Sequence, residues 1–124
     1  MKIKLYKNLP YLLFYTDNLP KDWGGRANGP VVRIRKKYIN DVGLEFHEAH
    51  HVFYFWKFGV IGRLLYIFSK KWRLNEEVAC YREQLKYAPA IRNSEYYRKL
   101  YAGYIAHDYG LDITEADAEN KLRS

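Results

Sequence analysis

The chain has a single cysteine, Cys80. No intrachain disulfide can form, which excludes a disulfide scaffold and suits a reducing compartment, although exported bacterial and viral proteins also do without disulfides. Long apolar runs are lacking too. The greasiest stretch, VFYFWKFGVIGRLLYIF at 52–68, carries Lys57 and Arg63 and falls short of the ~20 apolar residues of a spanning helix. A buried helix with its turn is expected there, with no transmembrane segment; membrane-surface contact is the minor reading. No secretory signal is evident, because the opening apolar run is short, is broken by Pro10 and meets no small-residue cleavage site. A cytoplasmic or virion-associated location is the expectation. Repeats and low-complexity segments are absent as well.

What is present describes one folded domain spanning 1–124. Apolar residues make up 48% of the 124 positions and aromatics 18%, with 13 tyrosines, which argues against disorder. The formal charge of +7 predicts attraction to anionic partners. It does not choose among nucleic acid, an acidic membrane surface and a cell-wall polymer.

Residues 2–6 and 11–15 read as short strands separated by the turn-forming KNLP, and 17–30 reads as a loop dense in Gly, Pro, Asn and Asp. The stretch VVRIRKKYI alternates β-branched with basic residues, as a strand with one wet face does. A buried helix is expected over 44–58, broken by Gly59 and Gly62. A second is expected from Asn75 as N-cap to about Tyr87, closed off by Pro89, and a third over 94–108, stopped by Gly110. Thr114 is a candidate cap for a last short helix. Strands first and helices after predict an α+β fold.

Three of the four histidines fall within His47-Glu48-Ala49-His50-His51, which satisfies H-E-x-x-H. Four residues apart on a helix, His47 and His51 project from one face and can grip one Zn²⁺. Glu48 lies ~100° around the helix, placed to reach a zinc-activated water and not the metal. Zinc lowers the pKa of that water toward ~7, and the glutamate takes its proton as the water attacks a polarised carbonyl. The bland alternative is a helix with near-surface histidines and a solvated Glu48. The apolar surroundings weigh against it, since imidazoles buried without a partner are costly. His50 reads as a neighbour that hydrogen-bonds or shields the site, with an i, i+3 pairing to His47 left open.

A catalytic zinc needs a third protein ligand and one open position. The metzincin extension is absent: Tyr54 stands where its Gly belongs, Lys57 where its third His belongs, and the sole methionine is Met1. The remaining common solution is a glutamate from a later helix. In RLNEEVACYREQLKY, residues 73–87, Glu77, Cys80, Tyr81 and Gln84 share one helical face. Glu76 and Glu77 also read as ordinary first-turn acids that favour the helix dipole.

With these residues the sequence resembles the small zincin metallopeptidases of the glutamate-ligand (gluzincin-like) type, compact enzymes found in phage and bacterial genomes. Their later helix carries a pattern like R-x-x-x-E-x-E-A-Y-x-x-Q, matched in register by Arg73, Glu77, Tyr81 and Gln84; the matched segments span 43–87. The resemblance implies that His47, His51 and Glu77 bind zinc, that Glu48 is the general base, and that an upstream edge strand holds extended substrate. Ala79 and Cys80 depart from the pattern, replacing its second glutamate and its alanine. A thermolysin-like N-E-x-x-x-D register would nominate Glu76 in reserve, with Cys80 at its aspartate position. Cys80 reads mainly as a small buried hydrophobe, with approach to the metal the minor alternative. His107 reads as a surface histidine or a transition-state donor, and Tyr81 as core or site.

The basic strand residues Arg33, Arg35 and Lys37 admit three readings: a phosphate-binding surface, a solvated face, or an edge that adds an extended, acidic peptide. The sequence therefore predicts a zinc metallopeptidase acting on a peptide or protein substrate. Its alternatives are a zinc-stapled structural or interaction protein, as in a viral particle, and a nucleic-acid-binding module, which is not favoured.

Overall fold

The computed structural model describes residues 1–87 and 91–123. A four-stranded sheet at the N-terminus is followed by four helices, the α+β order expected. Strands β1 (Lys2–Tyr6) and β2 (Leu9–Tyr15) form a hairpin whose turn is Lys7–Asn8, both at positive φ (50° and 65°). That two-residue geometry matches the right-handed twist of the strands. Leu9 and Pro10, expected in the turn, belong to β2.

The region expected to be all loop contains β3 (Gly25–Asn28), antiparallel to β4 (Val31–Ile34), and β4 runs parallel to β2. The order is β1-β2-β4-β3, so the sheet is mixed. This corrects the reading of the basic strand as an edge: β4 is paired on both sides, and the edge on its flank is β3. The strand is also shorter than expected, since Lys36–Tyr38 turn into a 3₁₀ helix. Tyr11, Leu13, Val32 and Ile34 alternate inward from β2 and β4 and bury against Ala49 and Val52.

Helix α1 (Val42–Phe68) starts where Asp41 accepts the Leu44 N–H at 2.9 Å. It breaks at Gly59, where φ is 62° and ψ −148°, as the sequence suggests. Gly62 does not break it; the helix continues past, and Gly62 is buried where a Cβ would fall 2.6 Å from that of Phe58. Helix α2 (Lys70–Leu85) is capped by Ser69, whose side chain accepts the Trp72 N–H at 3.1 Å. The expected cap, Asn75, lies inside the helix. Pro89 lies outside the described residues.

Helix α3 (Ile91–His107) and α4 (Glu115–Arg123) complete the chain, with Thr114 accepting the Asp117 N–H at 3.1 Å as its sequence predicts. A second apolar cluster joins Val78 and Tyr81 of α2 to Tyr101, Ala102 and Ile105 of α3 and Leu122 of α4. Two half-cores thus meet where α1 crosses α2. A buried acid fixes α1 on the sheet: Glu45 accepts from the Tyr11 hydroxyl at 2.5 Å and from Lys4 Nζ at 2.7 Å.

Candidate metal centre

His47, Glu48 and His51 project from the first half of α1, and Glu76, Glu77, Cys80 and Tyr81 from α2. The four-residue spacing on α1 stacks the two site imidazoles on one face, ring centroids 5.2 Å apart. The same spacing rule on α2 sets Glu77, Cys80 and Tyr81 on the face opposite them. Both imidazoles turn Nε2 toward one carboxylate. His47 Nε2 lies 3.4 Å from Glu77 Oε1, and His51 Nε2 lies 3.3 Å from Glu77 Oε2.

Glu77 is 1% exposed, and its Oε1 accepts no hydrogen bond among the described residues. Burial opposes its charge, yet the two histidines outweigh burial and hold its carboxyl well below the usual carboxylate range. Burial likewise favours a neutral His51, but the electrostatic pull and hydrogen bonding of neighbouring Cys80, Glu77 and Glu76 prevail and raise its pKa well above the usual value. A pocket that holds a proton this firmly is one that a cation can fill.

The fit to zinc can be tested on lengths. In a tetrahedral site with bonds of about 2.0–2.1 Å to nitrogen and oxygen, neighbouring donors stand roughly 3.3–3.4 Å apart. Each His–Glu77 separation matches that edge, but the two run to different oxygens of the carboxylate, Oε1 for His47 and Oε2 for His51. Three side chains gather donor atoms closely, His47, His51 and the fully buried Cys80, one atom from each lying within 4.8 Å of the others, a grouping that does not include Glu77. These residues are capable of coordinating a metal ion and are consistent with a zincin-like zinc site. The burial of Cys80 fits its main sequence reading as a small hydrophobe, and its place beside the imidazoles fits the minor alternative of approach to the metal. Burial pushes its thiol up to about 12, so a thiolate there requires a cation beside it.

Around these donors stands a ring of supports. Glu76 Oε2 lies 2.6 Å from His51 Nδ1, and its other oxygen accepts from Trp72 Nε1 at 3.2 Å. Glu76 therefore grips the far nitrogen of the histidine, the position from which a carboxylate orients a metal-ligating imidazole. Tyr66, beyond the α1 break, donates to Glu77 Oε2 at 2.5 Å, and Arg73 Nη1 donates to the carbonyls of Tyr66 and Ile67. Tyr81 packs edge-on against His47 at 4.3 Å between centroids, its hydroxyl 2.7 Å from that of Tyr109. Tyr66, Trp72 and Tyr109 carry no sequence signal, since only the chain's path in space brings them here.

Glu48 is buried, and burial raises its pKa although His47 and His51 pull the other way. It lies beneath β3: a Cβ on Gly25 would come within 3.2 Å of Glu48 Cγ. Glycine at 25 thus lets the edge strand close on the helix. His50 leaves the site, its Nδ1 2.7 Å from the Tyr6 hydroxyl on β1. His107 is exposed and pairs with Glu115 at 2.8 Å. Arg35 is spent on the carbonyls of Trp23 and Pro20, each at 2.8 Å, and so braces the loop before β3. Arg33 reaches the Asn18 carbonyl at 3.4 Å.

A comparison of the chain with protein-family models, with curated proteins and with solved structures finds no match in any of the three.

Proposed function

We propose that the chain is a zinc-dependent peptidase in which His47, His51 and Glu77 hold the metal and Glu48 is the general base. The observation that carries this reading is the convergence of two imidazole Nε2 atoms on the two oxygens of one fully buried carboxylate, His47 on Oε1 at 3.4 Å and His51 on Oε2 at 3.3 Å. Zinc, when bound there, would activate a water and polarise the scissile carbonyl. Glu48 would accept that water's proton and return it to the leaving amine. Burial raises its pKa above the ordinary carboxylate value, the direction that favours a group that must give a proton back as well as take one. Glu76 would orient His51, and Tyr66 would hold Glu77 in place. An extended peptide would add to the open edge of β3 above Glu48. The exposed Arg26 on that strand, stacked over Trp23, would favour acidic side chains.

Cys80 supports a second reading, a zinc-stapled structural protein. If its sulfur joined both histidines and Glu77, four protein donors would close the site, as structural zinc sites are closed.

Elemental analysis and hydrolysis of a fluorogenic peptide library separate the two. In the peptidase reading, purified wild type carries about one zinc per chain, as a three-ligand catalytic site requires. His51→Ala and Glu77→Ala lose it. Glu48→Gln keeps the metal and loses roughly 10²–10⁴-fold in rate, while Cys80→Ala keeps both metal and rate. A Cys80→Ala chain that drops its zinc, with no hydrolysis in wild type, favours the staple. Wild type that takes up no zinc removes both.

A further inference from the structure

The second half of α1 is apolar where it faces outward. Val60, Ile61, Leu64, Leu65, Ile67 and Phe68 are all exposed, Ile61 at 71% and Phe68 at 82%. At about 100° per residue these six fall within an arc of roughly 160°. Gly62 and Tyr66 fall on the opposite side, where Gly62 is buried and Tyr66 reaches Glu77. The helix thus has an inner face committed to the metal centre and an outer face with nothing packed on it among the described residues. Soluble surfaces rarely expose so continuous an apolar stripe unless it meets a partner.

Charge says which partner. Between Glu48 and Glu76 the chain has no acidic residue and five basic ones: Lys57, Arg63, Lys70, Lys71 and Arg73. Arg73 is turned onto backbone carbonyls and Lys70 pairs with Asp112, leaving Lys57, Arg63 and Lys71 as the exposed basic residues of this segment, Arg63 on the same half-helix as the stripe. A symmetric contact with a second copy would bring these like charges together with no acid from the segment to answer them. An anionic lipid surface answers both features, burying the apolar arc and pairing the basic residues with headgroups. No single helix among the described residues is long and apolar enough to cross a membrane; α1 and α2 reach that length and apolarity only as a pair, and the pair is bent by 110°. The geometry fits a segment lying in the interface plane.

We propose that the outer face of 60–68 docks the protein on anionic membrane surfaces. This inference is independent of the metal reading. Flotation of the full chain with mixed phosphatidylcholine–phosphatidylglycerol vesicles, compared with pure phosphatidylcholine, tests it. Wild type should float with the mixed vesicles, less with the neutral ones, and less again as salt rises. Ile61→Asn/Phe68→Asn should cut the partition by at least about tenfold. Both side chains are mostly exposed, so circular dichroism should be unchanged. Arg63→Glu/Lys71→Glu, which leaves the apolar arc intact, should lose the preference for the anionic vesicles. Wild type that stays in solution with mixed vesicles overturns the proposal. So does equal flotation of wild type and the Ile61→Asn/Phe68→Asn variant. A wild-type dimer that the apolar variant dissolves, without vesicle binding, reassigns the face to a second copy.

Discussion

His50 sits one residue from a proposed ligand yet belongs to a different environment. Burial lowers its pKa to about 4; the Lys7 and neighbouring imidazole charges add to that, and Glu83 opposes. The unfolded chain returns the ring to a pKa of about 6.5. Between those values the unfolded state binds more protons than the native state. The contribution is therefore complete above about pH 6.5 and is lost as the pH falls toward 4, by up to about 1.4 kcal/mol per unit. Urea unfolding from pH 7 to 4 should show a steeper loss for wild type than for His50→Phe, and equal slopes would refute the assignment. The histidines illustrate what was readable at this scale. Helical periodicity alone places His47 and His51 together, and puts Glu77 and Cys80 on one face of a later helix. It cannot report that His50 turns to Tyr6, or that Arg35 is consumed by the carbonyls of Trp23 and Pro20, because those partners lie on other elements.

At the scale of elements, apolar runs and helix breakers were legible where they act locally, and strand pairing was not. Residues 25–28 read GRAN, with no β-branched or aromatic residue to announce a strand, yet they pair with β4 because Gly25 can close on Glu48. Ser69 caps α2 in place of Asn75, because Asn75 followed by two acids carries the same local signature of a helix start and only the chain's path decides between them. Gly59 was legible, and its conformation explains why. At φ 62° and ψ −148° it occupies a region almost closed to other residues, while nothing stands within 4 Å of where a Cβ would be. Gly59→Ala should therefore cost about 1–3 kcal/mol through backbone strain alone. A thermal midpoint unchanged in Gly59→Ala would show that the break relaxes without cost. The consequence of the break is functional: it sends 60–68 on a new course that returns Tyr66 to Glu77.

Across the whole molecule the proposed ligands straddle a seam. His47 and His51 extend from the half-core built on the sheet, and Glu77 from the half-core built by α2, α3 and α4. At the seam two buried histidines face a buried carboxylate that they hold ionised, one of its oxygens accepting no hydrogen bond among the described residues. With zinc bound, the same atoms join the two halves. A metal that binds only the native chain stabilises it by RT ln(1 + [Zn]/Kd), about 2.7 kcal/mol at a hundredfold excess over Kd. For a domain of this size that is a thermal shift on the order of ten degrees. The zinc-loaded chain should melt higher than chelator-treated chain by that order, and zinc should restore the difference. Glu77→Gln, which keeps the volume and removes the charge, should melt at one temperature with or without zinc. Because His51 must shed a proton that its acidic surroundings hold above the usual histidine value, the zinc-dependent shift should shrink as the pH falls, starting at a higher pH than an ordinary imidazole would set. If chain with measured bound zinc melts no higher than the chelated form, the metal does not join the half-cores, and the seam owes its cohesion to the hydrogen bonds of Glu76 and Tyr66.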